Sequence, residues 1–312
     1  MFSLRSAHRA AIQPREPKRT QADPKWNKKM SDAGNNALDR IRAEIDSIDT
    51  AIHDLLIRRS AVIDELIAVK DAHTPGTAFR PGREADMMRR FVMRHEGHLP
   101  LTTVEHIWRE IIATFTAMQA PFSIIAGPAD DRLAMRDVVR FYFGFSVPVS
   151  DAASSEAALK SISGKRARIA VIAADSPNAW WRALCGTDAP KVLARLPFIA
   201  IEGRSAGLPC YVAAPPLNDD WAADIGLYAV SAKNGLAAAA DRLGGRLVSR
   251  AGAEALIELP ATVEPDDFAA ELAAAGGGLL SMQAVGGFAA PIEVSQTVEQ
   301  SEPAKRAGRA AQ

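Results

Sequence analysis

The chain is poor in the residues from which disulfide, metal and redox chemistry are built. Its 312 residues include two cysteines, Cys185 and Cys210. That is too few for a disulfide scaffold or a Cys-based zinc site, and it suits a reducing cytoplasm. Six histidines are scattered without a His-x-x-x-His pair, so no metal site is expected. The glycine runs at Gly276 and Gly286 do not follow G-x-G-x-x-G and read as turns, not phosphate cradles. Basic and acidic residues balance at 37 each, which gives no global field for nucleic acid or an anionic membrane. No segment has the length and apolarity of a membrane span or a secretory signal. No cofactor is expected.

What the chain does have is an ordinary globular balance, 48% hydrophobic and 24% charged, and length enough for two domains. Residues 1–36 are basic and lack apolar periodicity, so they read as a disordered leader. The Arg-rich composition also fits a transit peptide, and Met30 is an alternative start. Residues 293–312 are polar and read as a disordered tail.

Between these ends the pattern changes once. From Ala37 to about Gln119 it is helical. Leu38, Ile41, Ile45, Ile48, Ile52, Leu55, Val62 and Leu66 recur mostly at steps of three and four. No Pro or Gly interrupts 37–72, so one helix of roughly 50 Å is expected. A second helix follows from about Arg83 to Arg94. The third carries Val104, Ile107, Trp108, Ile111, Ile112, Phe115 and Met118, with Thr102 and Glu105 as a capping box. One helix much longer than its two companions leaves apolar surface uncovered in a monomer, so a homodimer is expected. After Pro121 the chain alternates short aliphatic runs with helical stretches. Residues 122–292 therefore read as an α/β or α+β domain. The fold class is α + α/β, with a three-helix domain over 37–121.

Charge interrupts the apolar stripe. Four residues beyond Leu55 stands Arg59, and four beyond Leu66 stands Lys70. They lie three turns apart on one face, about 16 Å along the helix. Gln119 likewise stands four residues past Phe115 in the third helix. Snorkelling to water is the plainer account of each cation. Together, with Arg83 nearby and only Glu84 and Asp86 as candidate counter-charges, they point to an anionic ligand held among helices. Arg42 lies about 25 Å before Arg59 and is turned roughly 100° from it. It cannot join the same small ligand in its own chain, though a partner's helix could deliver it.

The run LDRIRAEIDSIDTAIHDLLIRRSAVIDELIAVK, followed by RPGREADMMRRF and IWREIIATFTAMQAP, resembles the all-α chorismate mutases, the three-helix class that forms an intertwined dimer. The resemblance covers about Ala37 to Pro121. It implies that Arg42 enters the partner's site to bind a substrate carboxylate and that Arg59 binds the other. It further implies that Lys70 meets the ether oxygen and a carboxylate, that Arg83 supports the charge network, and that Glu84 holds the ring hydroxyl. Gln119 would donate its amide hydrogen to the ether oxygen. Lys70, Gln119 and Arg59 are then the catalytic set. Two positions depart from the family. Arg80 stands where an acidic residue is common, and Phe115 replaces a small hydroxyl residue. Chorismate would be the substrate and prephenate the product, with no metal or cofactor required.

The second half is less explicit. FSIIAGPADDRLAMRDVVRFYFG faintly resembles the opening of a prephenate dehydratase, but that family's Thr-Arg-Phe signature is missing. Asp224 to Ile292 reads strand, helix, strand, strand, helix, strand, the order of an ACT-like domain. A purely structural or docking role is the plain alternative. For the whole chain, chorismate mutase stands beside isochorismate-pyruvate lyase, a non-catalytic regulatory subunit, and a bifunctional mutase and dehydratase. Because every candidate site residue falls within it, the segment 31–121 is expected to fold and act alone.

Overall fold

The computed structural model describes residues 32–71, 79–164, 167–216 and 222–294, with the side chains of residues 32–35 and 70–71 outside that description. The expected leader up to residue 31 and the tail from residue 295 lie outside the described residues. By its contacts the chain divides between Ala61 and Val62, a boundary that falls inside the first helix.

Helix α1 runs without a break from Asp32 to Asp71, about 60 Å at 1.5 Å per residue. It begins five residues before the expected start at Ala37. Before the boundary its apolar stripe stands open to solvent: Leu38, Ile41, Ile45, Ile48, Ile52 and Leu55 are 41–62% exposed. This is the uncovered surface that the helix lengths imply for a single chain.

The second unit begins with the last residues of α1, where Ile63 is buried. Helix α2 (Pro81–Arg94) has proline at its first position, where a missing N–H costs no helical hydrogen bond. Helix α3 (Leu101–Gln119) starts after Pro100 with no side-chain cap. The expected Thr102/Glu105 capping box is therefore absent. Thr102 is already inside the helix, and Glu105 turns inward, 1% exposed.

The apolar stripe read for α3 also needs correction. Ile107 and Met118 are 46% exposed, whereas the buried face carries Leu101, Glu105, Arg109, Ile112, Ala113, Phe115 and Thr116.

A mixed α/β domain follows. Its elements are β1 (Ser123–Ala126), α4 (Arg132–Phe143), β2 (Val149–Asp151), α5 (Ser155–Ile162), β3 (Arg168–Ala173), a 3-10 turn at Trp180–Leu184, β4 (Lys191–Leu196), β5 (Ile199–Ala200) and β6 (Cys210–Ala214). After them come β7 (Ile225–Ala232), α6 (Leu236–Arg242), β8 (Arg246–Ala251), β9 (Glu254–Pro260), α7 (Pro265–Ala274), β10 (Leu279–Phe288) and β11 (Ile292–Glu293). Nine strands make one sheet in the order β2-β1-β3-β6-β4-β10-β7-β9-β8, and β5 pairs with β11.

The sheet has two parts. In the first, β1 is parallel to β2 and β3, and β6 runs antiparallel between β3 and β4. In the second, β10, β7, β9 and β8 are antiparallel neighbours. This strand order, fourth-first-third-second, is the split β-α-β arrangement of ferredoxin-like folds. The parts join where Gly286 pairs with Val192. A Cβ on Gly286 would come within 2.2 Å of the Val192 carbonyl oxygen, so only glycine admits that approach.

Three cores follow from the alternation of strand side chains. In β9, Ala255, Ile257 and Leu259 pack under α6 and α7 with Phe268 and Leu272. Leu256 turns the other way, towards Trp180, Trp181 and Tyr211 of the first part. The third core joins Phe79, Ala85, Met88, Ile112 and Ala113, most of them on α2 and α3, to Ile124, Val138, Tyr142 and Phe198 of the sheet domain. The buried faces of α2 and α3 are thus built into the α/β domain.

Candidate active site

The six candidate residues fall differently in the two units. On α1, Arg42 is exposed, and its Nη1 lies 3.4 Å from Asp39 Oδ1. Such an exposed ion pair, one turn apart, is worth little, so Arg42 is cheaply freed for another partner. Arg59 is half-buried. Lys70 lies on α1, and its side chain is outside the described residues.

In the second unit, to which Lys70 also belongs, Arg83 is exposed and Glu84 is buried in the first turn of α2. Gln119 closes α3 half-buried, its amide donating to the Phe115 carbonyl at 3.1 Å.

Glu84 leads into a network that sequence reasoning missed. Arg109 Nη1 donates to Glu84 Oε2 at 2.7 Å, with both side chains nearly sealed from solvent. Arg109 Nε and Nη2 donate to the Tyr142 carbonyl at 3.2 and 2.9 Å. The guanidinium also lies over the rings of Phe198 and Tyr142, where a cation meets the negative ring face.

One turn earlier on α3, Glu105 Oε1 accepts from the Tyr142 hydroxyl at 3.0 Å. Arg204 Nη1 lies 2.8 Å from Glu105 Oε2, an ion pair without hydrogen-bond alignment. Burial raises the Glu105 carboxyl above its ordinary value despite Arg204, Tyr142 and Arg109. Burial, reinforced by Glu105, pushes the Tyr142 hydroxyl well up. A further tie comes from Arg89 of α2, which binds Asp224 just before β7. The signal for Arg109 and Glu105 was present. They stand four residues apart on the face that includes Ile112 and Thr116, as Arg59 interrupts the stripe of α1.

The sheet domain has polar clusters and clefts of its own. Glu258 of β9 accepts from the buried Tyr211 hydroxyl and from Arg246, and burial raises Tyr211 strongly. A cleft of about 990 Å³ opens against the loop before β6, with Arg195, Glu202, Arg204 and Asp137 in its walls. Another of about 620 Å³ lies at the carboxyl ends of β1 and β2, beside Arg132 and Arg136. None of the six candidate residues lines either cleft. Among the described residues no group of three or more His, Cys, Asp or Glu is placed to hold a metal. No described helix is long and apolar enough to cross a membrane.

Residues 41–120 match the family model described as chorismate mutase type II, so the resemblance read from the helical segment is shown. That span contains Arg42, Arg59, Lys70, Arg83, Glu84 and Gln119. Over 99 residues the chain is 30% identical to a bifunctional chorismate mutase/prephenate dehydratase of Stutzerimonas stutzeri. The match takes in 30% of this chain and 27% of that protein, so the chain spans about a quarter of its relative's length. A solved prephenate dehydratase from Streptococcus mutans is matched over 54% of this chain and 98% of its own, at 11% identity and a TM-score of 0.32. That score is too low to bear on fold or function.

Proposed function

We propose that this chain is a chorismate mutase that converts chorismate to prephenate through its residues 41–120. The observation that carries the reading is that one family match spans Arg59, Lys70 and Gln119, which interrupt the helical apolar faces, together with Arg42, Arg83 and Glu84. The reaction is a pericyclic Claisen rearrangement, so the protein's task is to hold a flexible dianion in its reactive chair. It must also stabilise negative charge growing on the breaking ether bond. Arg59 and the partner's Arg42 take the two carboxylates, where the guanidinium fork suits bidentate binding. Lys70 and the Gln119 amide face the ether oxygen. Arg83 supports that field, and Glu84 accepts the ring hydroxyl.

The same reading makes the protein a homodimer, because Arg42 serves the site of the other chain. The open stripe from Leu38 to Leu55 is the surface such a partner would cover. Its two cysteines, both free, suit the cytoplasm assigned to it.

The test is product analysis after incubating the purified chain separately with chorismate, isochorismate and prephenate. Prephenate formed from chorismate is the expected result. Salicylate and pyruvate from isochorismate alone would move the chain to the lyases. Turnover of prephenate would add a dehydratase, and no turnover of any of the three would refute an enzymatic role.

A further inference from the structure

Arg109 is more tightly committed than docking two helices requires. One nitrogen holds Glu84 Oε2, two more hold a single carbonyl oxygen on α4, and the planar group lies over the edge-packed rings of Tyr142 and Phe198. The side chain is 2% exposed. Its geometry is therefore fixed by the α/β domain and not by α3 alone. Of the Glu84 carboxylate, Oε2 is taken by this bond, and Oε1 has no hydrogen-bond partner among the described residues. A buried ion pair is a poor means of stabilising a core, since well-packed apolar residues often serve as well. It is a good means of aiming a carboxylate, because a fork fixes both distance and plane.

We propose that Arg109 is a positioning residue for the mutase site. It holds the Glu84 carboxylate in the orientation that accepts the substrate's ring hydroxyl. It is itself seated by the Tyr142 carbonyl, so the sheet domain sets the aim of a substrate-binding group. This rests on the mutase reading above and adds to it a purpose for the sheet domain that needs no second activity. Lysine at position 109 keeps the charge but cannot span Glu84 and the Tyr142 carbonyl with a rigid fork.

The experiment is a double-mutant cycle on the full chain, reading kcat and KM for chorismate beside the thermal unfolding midpoint. A ring-hydroxyl contact is made in ground and transition states alike, so its loss appears mainly in KM. Arg109→Lys should raise KM about tenfold, the value of one ordinary hydrogen bond, with kcat changed by less than about threefold. Glu84→Gln should raise KM comparably. In the Glu84→Gln background, adding Arg109→Lys should change KM by less than about twofold. A structural role would instead lower the unfolding midpoint and multiply the loss in both backgrounds, which overturns the proposal.

If Arg109→Lys does not fold, Glu84→Gln is compared with Glu84→Gln/Arg109→Met, in which no charge is left unpaired. Equal KM values support the proposal, and a further rise above about twofold overturns it. Unchanged KM in Glu84→Gln overturns the positioning role while leaving the mutase reading intact. A wild-type chain that does not convert chorismate overturns both.

Discussion

Two helices of this protein reverse the usual relation between side-chain chemistry and burial. Along α1, six aliphatic side chains between Leu38 and Leu55 are 41–62% exposed, whereas on α3 Glu105 and Arg109 are 1% and 2% exposed. Neither helix breaks a physical rule. Burying a charge is tolerable when a partner is built beside it, and Glu105 has Arg204 and Tyr142 while Arg109 has Glu84 and a carbonyl. Exposed aliphatic side chains are tolerable singly, but a continuous stripe of them marks a surface that expects a cover. The contrast teaches that α3 has found its partner within the chain, whereas the stripe of α1 from Leu38 to Leu55 stands open among the described residues.

The strongest way to break this contrast is to remove the partner of α3. A fragment of residues 31–121 would expose Ala85, Met88, Ile112 and Ala113 and leave Glu105 and Arg109 without Arg204 and Tyr142. Baring that apolar face forfeits burial worth about 0.8 kcal/mol per methylene. Over several side chains this is comparable with the whole stability of a small domain. Arg109 keeps Glu84 but loses its seat on Tyr142. We therefore reverse the expectation that this segment stands alone. It should show no cooperative thermal transition by circular dichroism, and its mutase activity should fall by ~100-fold or more. A sharp transition with full activity would show that the buried charges find other partners.

Next in size are the changes at the proposed chemistry. If Lys70 meets the ether oxygen as proposed, Lys70→Ala removes a donor for charge that appears only in the transition state and should cost about 100-fold or more in kcat. Arg80→Ala, at a position with no assigned role, should cost far less. Arg42→Ala should be nearly as damaging as Lys70→Ala, yet the two inactive proteins should restore activity when unfolded together and refolded. A mixed dimer assembles one complete site, as two-fold symmetry requires for a residue that works across it. Mixed dimers confirmed by mass spectrometry but without recovered activity would place Arg42 outside the site.

A smaller perturbation sharpens the α1 side of the comparison. Ile48→Asp/Ile52→Asp changes two side chains that are 53% and 52% exposed in the single chain, so the fold should tolerate it. If the stripe is covered by a second copy, each change forfeits about 1.5 kcal/mol of burial and the dimer weakens at least ~100-fold. Sedimentation velocity over a dilution series reads this directly. Identical sedimentation of variant and wild type would mean that this face is not the dimer contact.

How much of this was legible in the sequence depended on whether a feature is periodic or relational. The helix α1, the order of elements from β7 to β10, and the succession of helices and mixed sheet were all readable, because apolar spacing carries them. β4 was not, since Lys191 and Arg195 interrupt its aliphatic run. β2, with only three residues, is too short to show a period. The α3 stripe was right at Ile112 and Phe115 but took in Ile107 and Met118 and left out Glu105 and Arg109, for a physical reason. Hydrophobicity marks what needs cover, and the positions most deeply covered here are held by ion pairs whose other halves lie distant in sequence. Gln119 stood out from the pattern and Glu84 as a candidate counter-charge, and the resemblance supplied their roles, but only the folded chain shows that Arg109 grips Glu84. No local rule ties residue 109 to residues 84 and 142.

The smallest effect concerns Glu105 and pH. Burial raises its carboxyl above the ordinary value in spite of the Arg204 guanidinium beside it. The native chain therefore keeps the proton over an interval in which the unfolded chain has already released it. The stability that this proton contributes is whole below the ordinary carboxylate value and is lost as pH rises through the raised native one. Glu105→Gln has no proton to lose, so its stability should lack that decline. The level will be lower, because Arg204 loses its counter-charge, but the slope is the quantity to read. Urea unfolding from about pH 4 to about pH 7 should show wild type falling relative to Glu105→Gln, by at most ~1.4 kcal/mol per pH unit. If the two stabilities run parallel across that range, Glu105 ionises in the folded chain as it does in the unfolded one. The Arg204 pair would then outweigh burial in the docked face of α3.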